Sequence, residues 1–244
     1  MSRARPTFRS SMPAVAATLV LLVSMLALHS DHGSASPGGE IVIHGATGSG
    51  SRLQLTVRGH RILARGLIGA SPQICRVTVA HRLATCPVGS AQGIEVDMGP
   101  FADEVDVLSR LPLPLTVHLG AGSDRFIGNG ERDTCYSEGT RRNRCIGGGG
   151  RDICITGPGN SDCIGGPGND VCVQGGGSDG CWGGPGNDVC RMGAGDDGCH
   201  GGPGNDRLYG GPGSDQLYGG PGFDFCDGGP GIGRSQGCEA APRH

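Results

Sequence analysis

GGPGNDVCV (165–173), GGPGNDVCR (183–191), GGPGNDRLY (201–209) and GGPGSDQLY (210–218) are copies of one nine-residue phrase. It has glycine at positions one, two and four, Asp at six and an apolar residue at eight. The register runs through phrases beginning at 119, 128, 138, 147, 156, 165, 174, 183, 192, 201, 210, 219 and 228. Such a fixed period predicts a stacked repeat architecture, in which each unit buries its apolar face only against its neighbours. Glycine permits a tight turn over the first six positions. Positions seven to nine then form a short strand whose middle side chain points inward. Two phrases make a coil of eighteen residues, so each phrase stacks on the next but one.

Stacking lines up the position-six side chains. One side carries Asp133, Asp152, Asp170, Asp188, Asp206 and Asp224 without a gap; the other carries Asp124, Asn143, Ser161, Asp179, Asp197 and Asp215. Asp162 falls one place late and would only partly replace the carboxylate missing at Ser161. Carboxylates stacked in this way repel, and a hard cation between them, wrapped by turn carbonyls, turns the repulsion into cohesion. Around Asn143 the glycines give way to Arg141, Arg142 and Arg144, and Ser137 is an extra residue, so a poor or absent ion site is expected there.

This stretch resembles the RTX, or hemolysin-type, calcium-binding repeats of secreted bacterial proteins, over roughly half the chain. The resemblance rests on ten position-six Asp residues that stay in phase with their glycines. It implies an all-β fold, a parallel β-roll with several Ca²⁺ ions per chain lodged between turns. The implied ligands are the carboxylates of Asp124, Asp133, Asp152, Asp170, Asp179, Asp188, Asp197, Asp206, Asp215 and Asp224. Glycine-rich turn carbonyls, represented by Gly166, Gly168, Gly184, Gly186, Gly202 and Gly204, complete them. A disordered Gly/Pro linker would not keep Asp in phase for so long.

Composition agrees with a ladder fold. Fifty glycines in 244 residues and 4 % aromatics cannot build an ordinary globular core. Every basic residue is Arg, and the formal charge is −3. A mildly acidic chain suits cations and offers no basic surface for nucleic acid. Residues 1–35 read as a Sec-type signal peptide: Arg3, Arg5 and Arg9 precede the apolar run Ala14 to Leu28, with small residues at Gly33, Ser34 and Ala35. That run is short for a membrane span, so the expected mature form does not span a membrane and is secreted, where disulfides persist.

Residues 36–118 read as a β-rich N-terminal cap, with short strands expected at Glu40–Ile43, Leu53–Val57, Ile62–Ala64, Arg76–Val79, Ile94–Asp97 and Leu115–Leu119. No stretch has a helical period. MGPFADEVDV from Met98 looks like a decayed first repeat, with Asp103 near the carboxylate position. The roll occupies 119–236. Its last phrase has Gly233 in place of Asp and Ser235 in place of the apolar residue, as terminal repeats often do. A polar tail, 237–244, follows.

Position eight is unusual in holding Cys135, Cys145, Cys154, Cys163, Cys172, Cys181, Cys190, Cys199 and Cys226; Cys75, Cys86 and Cys238 make twelve. Stacked neighbours are about 4.8 Å apart and opposed sheets typically about 10 Å apart, which favours bridges along each column. The expected pairs are Cys135–Cys154, Cys172–Cys190, Cys145–Cys163 and Cys181–Cys199, with Cys226–Cys238 as an end clip and Cys75–Cys86 in the cap. A narrow roll would instead pair across the core from Cys135–Cys145 onward, and unpaired Cys could serve as apolar filler.

Nothing marks a catalytic site. Gly176 to Gly180 fits G-x-S-x-G, and Gly193, Gly195 and Gly198 fit G-x-G-x-x-G, but both lie inside the repeat register, without the strand–turn–helix context they require. The expected function is that of a non-enzymatic, secreted, Ca²⁺-binding β-roll whose folding is coupled to the ion and stapled by disulfides. One alternative is a Ca²⁺-rigidified adhesion module using outward position-nine residues such as Trp182 and Tyr209. A less favoured one is a hydrolase with an RTX tail.

Overall fold

The computed structural model describes residues 41–45, 52–58, 61–65, 68–70, 76–77, 83–87, 92–111 and 113–239. The expected signal peptide and Cys75 lie outside the described residues, and with Cys75 the expected Cys75–Cys86 bridge.

Glycine-rich turns interrupt the repeat every nine residues, so its strands are short. They alternate between two parallel sheets. One sheet stacks Leu115–His118, Asp133–Ser137, Ile153–Thr156, Val171–Val173, Val189–Arg191, Arg207–Tyr209 and Phe225–Asp227 in consecutive order. The other stacks Arg125–Ile127, Arg144–Ile146, Asp162–Ile164, Gly180–Trp182, Gly198–His200, Gln216–Tyr218 and Arg234–Gln236. The chain is a parallel β-solenoid, as the period predicts, with no helix among the described residues.

Register follows the eighteen-residue coil: Cys172 pairs with Cys190, and Cys181 with Cys199. The two coils that include Ser137 pair Cys135 with Cys154 and Phe126 with Cys145, one residue longer. Ser137 continues the strand Asp133–Ser137 in register opposite Thr156, so the extra residue is taken up in the following turn, between Glu138 and Asn143.

Both sheets continue N-terminally past residue 119. Ile94–Asp97 and Ile41–Gly45 extend one sheet in parallel; Glu104–Val107 and Arg52–Arg58 extend the other. Antiparallel strands then end each sheet: Ile68–Ala70 on the first, Arg61–Arg65, Leu83–Pro87 and Arg76–Val77 on the second. These N-terminal coils bury Ile41, Ile43, Leu53, Leu55, Val96 and Val105, where the repeats bury cysteine. Such aliphatic side chains fit a pleated, half-buried surface, in keeping with the strands expected here.

Disulfide pairing differs from the column pairing expected above. The bridges are Cys135–Cys145, Cys163–Cys172, Cys181–Cys190 and Cys226–Cys238. Only the end clip matches, and Cys154 and Cys199 are buried thiols. Two distances explain the change. Each strand sends one small side chain inward, so the sheets approach until bridged Cα atoms are 6.2–6.6 Å apart across the repeat core. Along a column, in-register Cβ atoms point the same way and keep the strand spacing of about 4.8 Å, beyond a disulfide's Cβ range. Each bridge therefore closes a loop of only 9 to 12 residues, worth roughly 2.5 kcal/mol in the entropic model.

Burial pushes the thiols of Cys154 and Cys199 well up from their ordinary value. Both should resist alkylation in the native protein and react after denaturation without reductant. Peptide mapping that finds label on Cys163 or Cys190 in their place would contradict this pairing.

Candidate functional site

The turns present two columns of buried polar side chains. Asp133, Asp152, Asp170, Asp188, Asp206 and Asp224 line one; Asp103, Asp124, Asn143, Ser161, Asp179, Asp197 and Asp215 line the other. None is more than 5 % exposed. Most of these carboxylates do two different things with their two oxygens; Asp133 and Asp103 instead use Oδ2 to accept from Asn129 and Gly99 in their own turns.

One oxygen holds the stack together. The backbone N–H of Asp152 donates to Asp170 Oδ1, Asp170 to Asp188, Asp188 to Asp206 and Asp206 to Asp224, at 2.7–2.8 Å. Asp179 and Asp197 donate to Asp197 and Asp215 in the same way. These bonds satisfy an N–H that a buried turn would otherwise leave unpaired.

The other oxygen has no such partner. Oδ2 of Asp124, Asp152, Asp170, Asp179, Asp188, Asp197, Asp206, Asp215 and Asp224, and Oδ1 of Asp133, are buried without a hydrogen bond. Position one explains how they are accommodated: a Cβ on Gly183 would overlap Asp188 Oδ2, and Gly165 and Gly201 stand likewise to Asp170 and Asp206. Glycine at that position leaves a cradle beside each Asp of the first column and beside Asp215, whereas buried Leu119, Gln174 and Met192 hold position one for Asp124, Asp179 and Asp197.

Desolvation has the expected electrostatic effect. Burial pushes the carboxyls of Asp133, Asp152 and Asp188 up to about 7, and those of Asp124, Asp170, Asp179 and Asp206 up to about 6. It raises Asp197 and Asp215 as well. Neighbouring carboxylates add to the rise at Asp152 and Asp188, while the coil-to-coil hydrogen bonds oppose it.

Turn backbone adds further oxygens. Amides at positions two and four donate to the next coil's carbonyls at one and three, as from Gly166 to Gly183 and from Gly168 to Pro185. The carbonyls of Gly166, Gly168, Gly184 and Gly186 accept none of these turn bonds. Buried carboxylate oxygens and backbone carbonyls form a hard, all-oxygen donor set, which suits Ca²⁺.

The second column is interrupted where the glycines are lost. Asn143 Oδ1 accepts from the Asp124 N–H, while its Nδ2 donates to Arg141 O, so its amide is used on both sides. Ser161 keeps position six, its Oγ donating to Gly159 O. Asp162 does not replace the missing carboxylate: it faces outward, 2.9 Å from the Arg142 guanidinium. A strand alternates its side chains, so one step along the chain moves a group to the other face.

Three features extend the clean position-six columns. Asp103, from the decayed Met98 phrase, is 3 % exposed and its N–H donates to Asp124 Oδ1, which makes it a full rung. At the far end Glu239 Oε2 accepts from the Asp224 N–H and so closes the first column from the tail. Position five forms its own exposed ladder: the N–H groups of Asn187, Asn205 and Phe223 donate to the preceding Asn169, Asn187 and Asn205 side chains. The recurring Asn at that position was the available signal.

The family model of the RTX calcium-binding nonapeptide repeat matches residues 116–139 and 200–234, in four copies. No curated protein and no solved structure matches the chain.

Proposed function

We propose, from the premise that this chain is an RTX-type repeat protein, that it is a secreted Ca²⁺-binding β-roll protein whose folding is coupled to the ion. One observation carries the reading: the two columns of buried carboxylates, each with an oxygen that has no hydrogen bond, with a position-one glycine beside every Asp from Asp133 to Asp224 in the first column and beside Asp215 in the second. Burying charges without counter-charges costs several kcal/mol per ion. A divalent cation held between successive coils offsets that cost and binds only the folded chain, so it stabilises the fold by mass action. The ligands are the position-six Asp residues with turn carbonyls. The first column takes ions along its whole length, and the second from Asp179 onward, past the Asn143 and Ser161 gap. Disulfides across the core keep coils together when ions are scarce.

Supporting export are the N-terminal sequence pattern and the four bridges, which persist in oxidising spaces. No helix among the described residues is long and apolar enough to cross a membrane.

Titrating Ca²⁺ into chelator-treated protein, followed by calorimetry and far-UV circular dichroism with and without reductant, tests the reading. The expected result is several ions per chain, with a larger gain of β-signal after reduction. Asp188→Asn keeps the shape but removes a charge, and should bind fewer ions than wild type. Absence of Ca²⁺ binding in both redox states would refute the proposal.

A second reading, an adhesion surface, is favoured by one observation. Trp182, His200 and Tyr218 stack along the outer face with nearly parallel rings, and all three are exposed. Trp182→Ala should abolish partner or self-association without altering Ca²⁺ stoichiometry if that surface is used.

A further inference from the structure

A different donor set lies on the outer face of the ten-stranded sheet. Ile41–Gly45, Ile94–Asp97, Leu115–His118 and Asp133–Ser137 are consecutive parallel strands. Their register puts His44 opposite Asp97, Asp97 opposite His118, and His118 opposite Tyr136. Val96 and Val117 point into the core, so Glu95, Asp97 and His118 share the outer face. One ligand atom from each of these three lies within 4.8 Å of the other two.

Two further observations point to an ion. His118 Nε2 is 3.7 Å from Glu95 Oε1. That exceeds hydrogen-bond length, and it is near the roughly 3.4 Å between two donors sharing a tetrahedral ion with bonds of about 2.1 Å. The imidazole also stacks flat on Tyr136, with ring centroids 4.9 Å apart and planes 7° apart. Stacking holds the ring in one plane, which reduces the ordering that a ligand would impose.

We propose that Glu95, Asp97 and His118 form a site for one divalent transition-metal ion, with Zn²⁺ as its natural occupant. The donors select the ion. An imidazole nitrogen with two carboxylates suits Zn²⁺, whereas Ca²⁺ takes oxygen ligands. The site and the position-six columns therefore bind independently, and excess Ca²⁺ does not displace the second metal. Three consecutive strands supply the donors and their orienting ring, so metal binding ties N-terminal coils to the first repeat coil.

Full-length protein saturated with Ca²⁺ is titrated with Zn²⁺ by calorimetry, and with Co²⁺ by visible absorption. One Zn²⁺ per chain is expected, and Co²⁺ should give the visible bands of a low-coordinate nitrogen and oxygen site. His118→Ala and Asp97→Asn should each weaken Zn²⁺ binding by about 10–100-fold or more, since groups that merely orient metal ligands already contribute that much. His200→Ala should leave it unchanged, as should Asp188→Asn. If His118→Ala fails to fold by circular dichroism, Asp97→Asn and Glu95→Gln decide. Absence of Zn²⁺ binding in excess Ca²⁺, or wild-type affinity in the folded variants, would overturn the proposal, whatever the Ca²⁺ titration gives.

Discussion

Gly186→Ala is expected to cost the roll about 4 kcal/mol or more, placing it among the most damaging single substitutions. Gly186 occupies position four with φ at +147°, a conformation that L side chains rarely adopt. A Cβ there would overlap the carbonyl oxygen of Gly168 in the stacked coil. That oxygen belongs to backbone, so no side-chain rotation relieves the clash, and the two coils must separate. The neighbouring hydrogen bonds, such as Gly186 N–H to Pro203 O, would be stretched with them. Gly198→Ala is the matched control: a Cβ there meets nothing within 4 Å, and its φ lies outside the strained range. It should change stability by no more than about 0.5 kcal/mol, or gain slightly from a stiffer unfolded chain. Denaturant melts at fixed Ca²⁺ concentration compare the two. Equal stabilities would show that the coils are not stacked as described.

The second large effect is a pH dependence whose sign reverses with Ca²⁺. In chelator, the position-six carboxyls of Asp133, Asp152 and Asp188 sit at about 7, above the ordinary 3.8. The folded chain then binds more protons than the unfolded chain between these values, so stability falls as pH rises. The contribution is complete below about pH 4 and lost above about pH 7. The melting temperature of chelated protein should therefore drop steadily across that window. With Ca²⁺ the same carboxylates prefer to be ionised, so affinity rises with pH. Below the native pKa, each carboxylate that must lose a proton should weaken binding by roughly tenfold per pH unit. Asp188→Asn removes one titrating group and should flatten both curves. A chelated protein that grows more stable from pH 4 to 7 would mean that the columns are already compensated or solvated.

The part of this protein written in its sequence is the part that repeats. A coil touches only its neighbours, so glycine, Asp and an inward apolar residue every nine positions are enough to specify parallel sheets, buried position-six columns and an eighteen-residue register. That one residue is inserted is legible for the same reason, because an insertion shifts every later residue; that Ser137 itself stays in register and the turn after it takes the extra residue is not. The same logic places Asp103 on its rung despite a decayed phrase. What happens between the sheets is not local. Cys135 bonds to Cys145 and not to Cys154 because small inward side chains let the sheets close, and because in-register Cβ atoms point the same way. Those facts exist only once both sheets are in place. Cys154 and Cys199 become thiols for that reason, although the sequence writes them like the other position-eight cysteines. Tertiary contact likewise decided that Arg142 pairs with the outward Asp162, that Glu239 closes the first column, and that His118 meets Asp97 and Glu95 across two strands. The period determined what stacks; the distance between sheets and the direction of each Cβ decided what bonds.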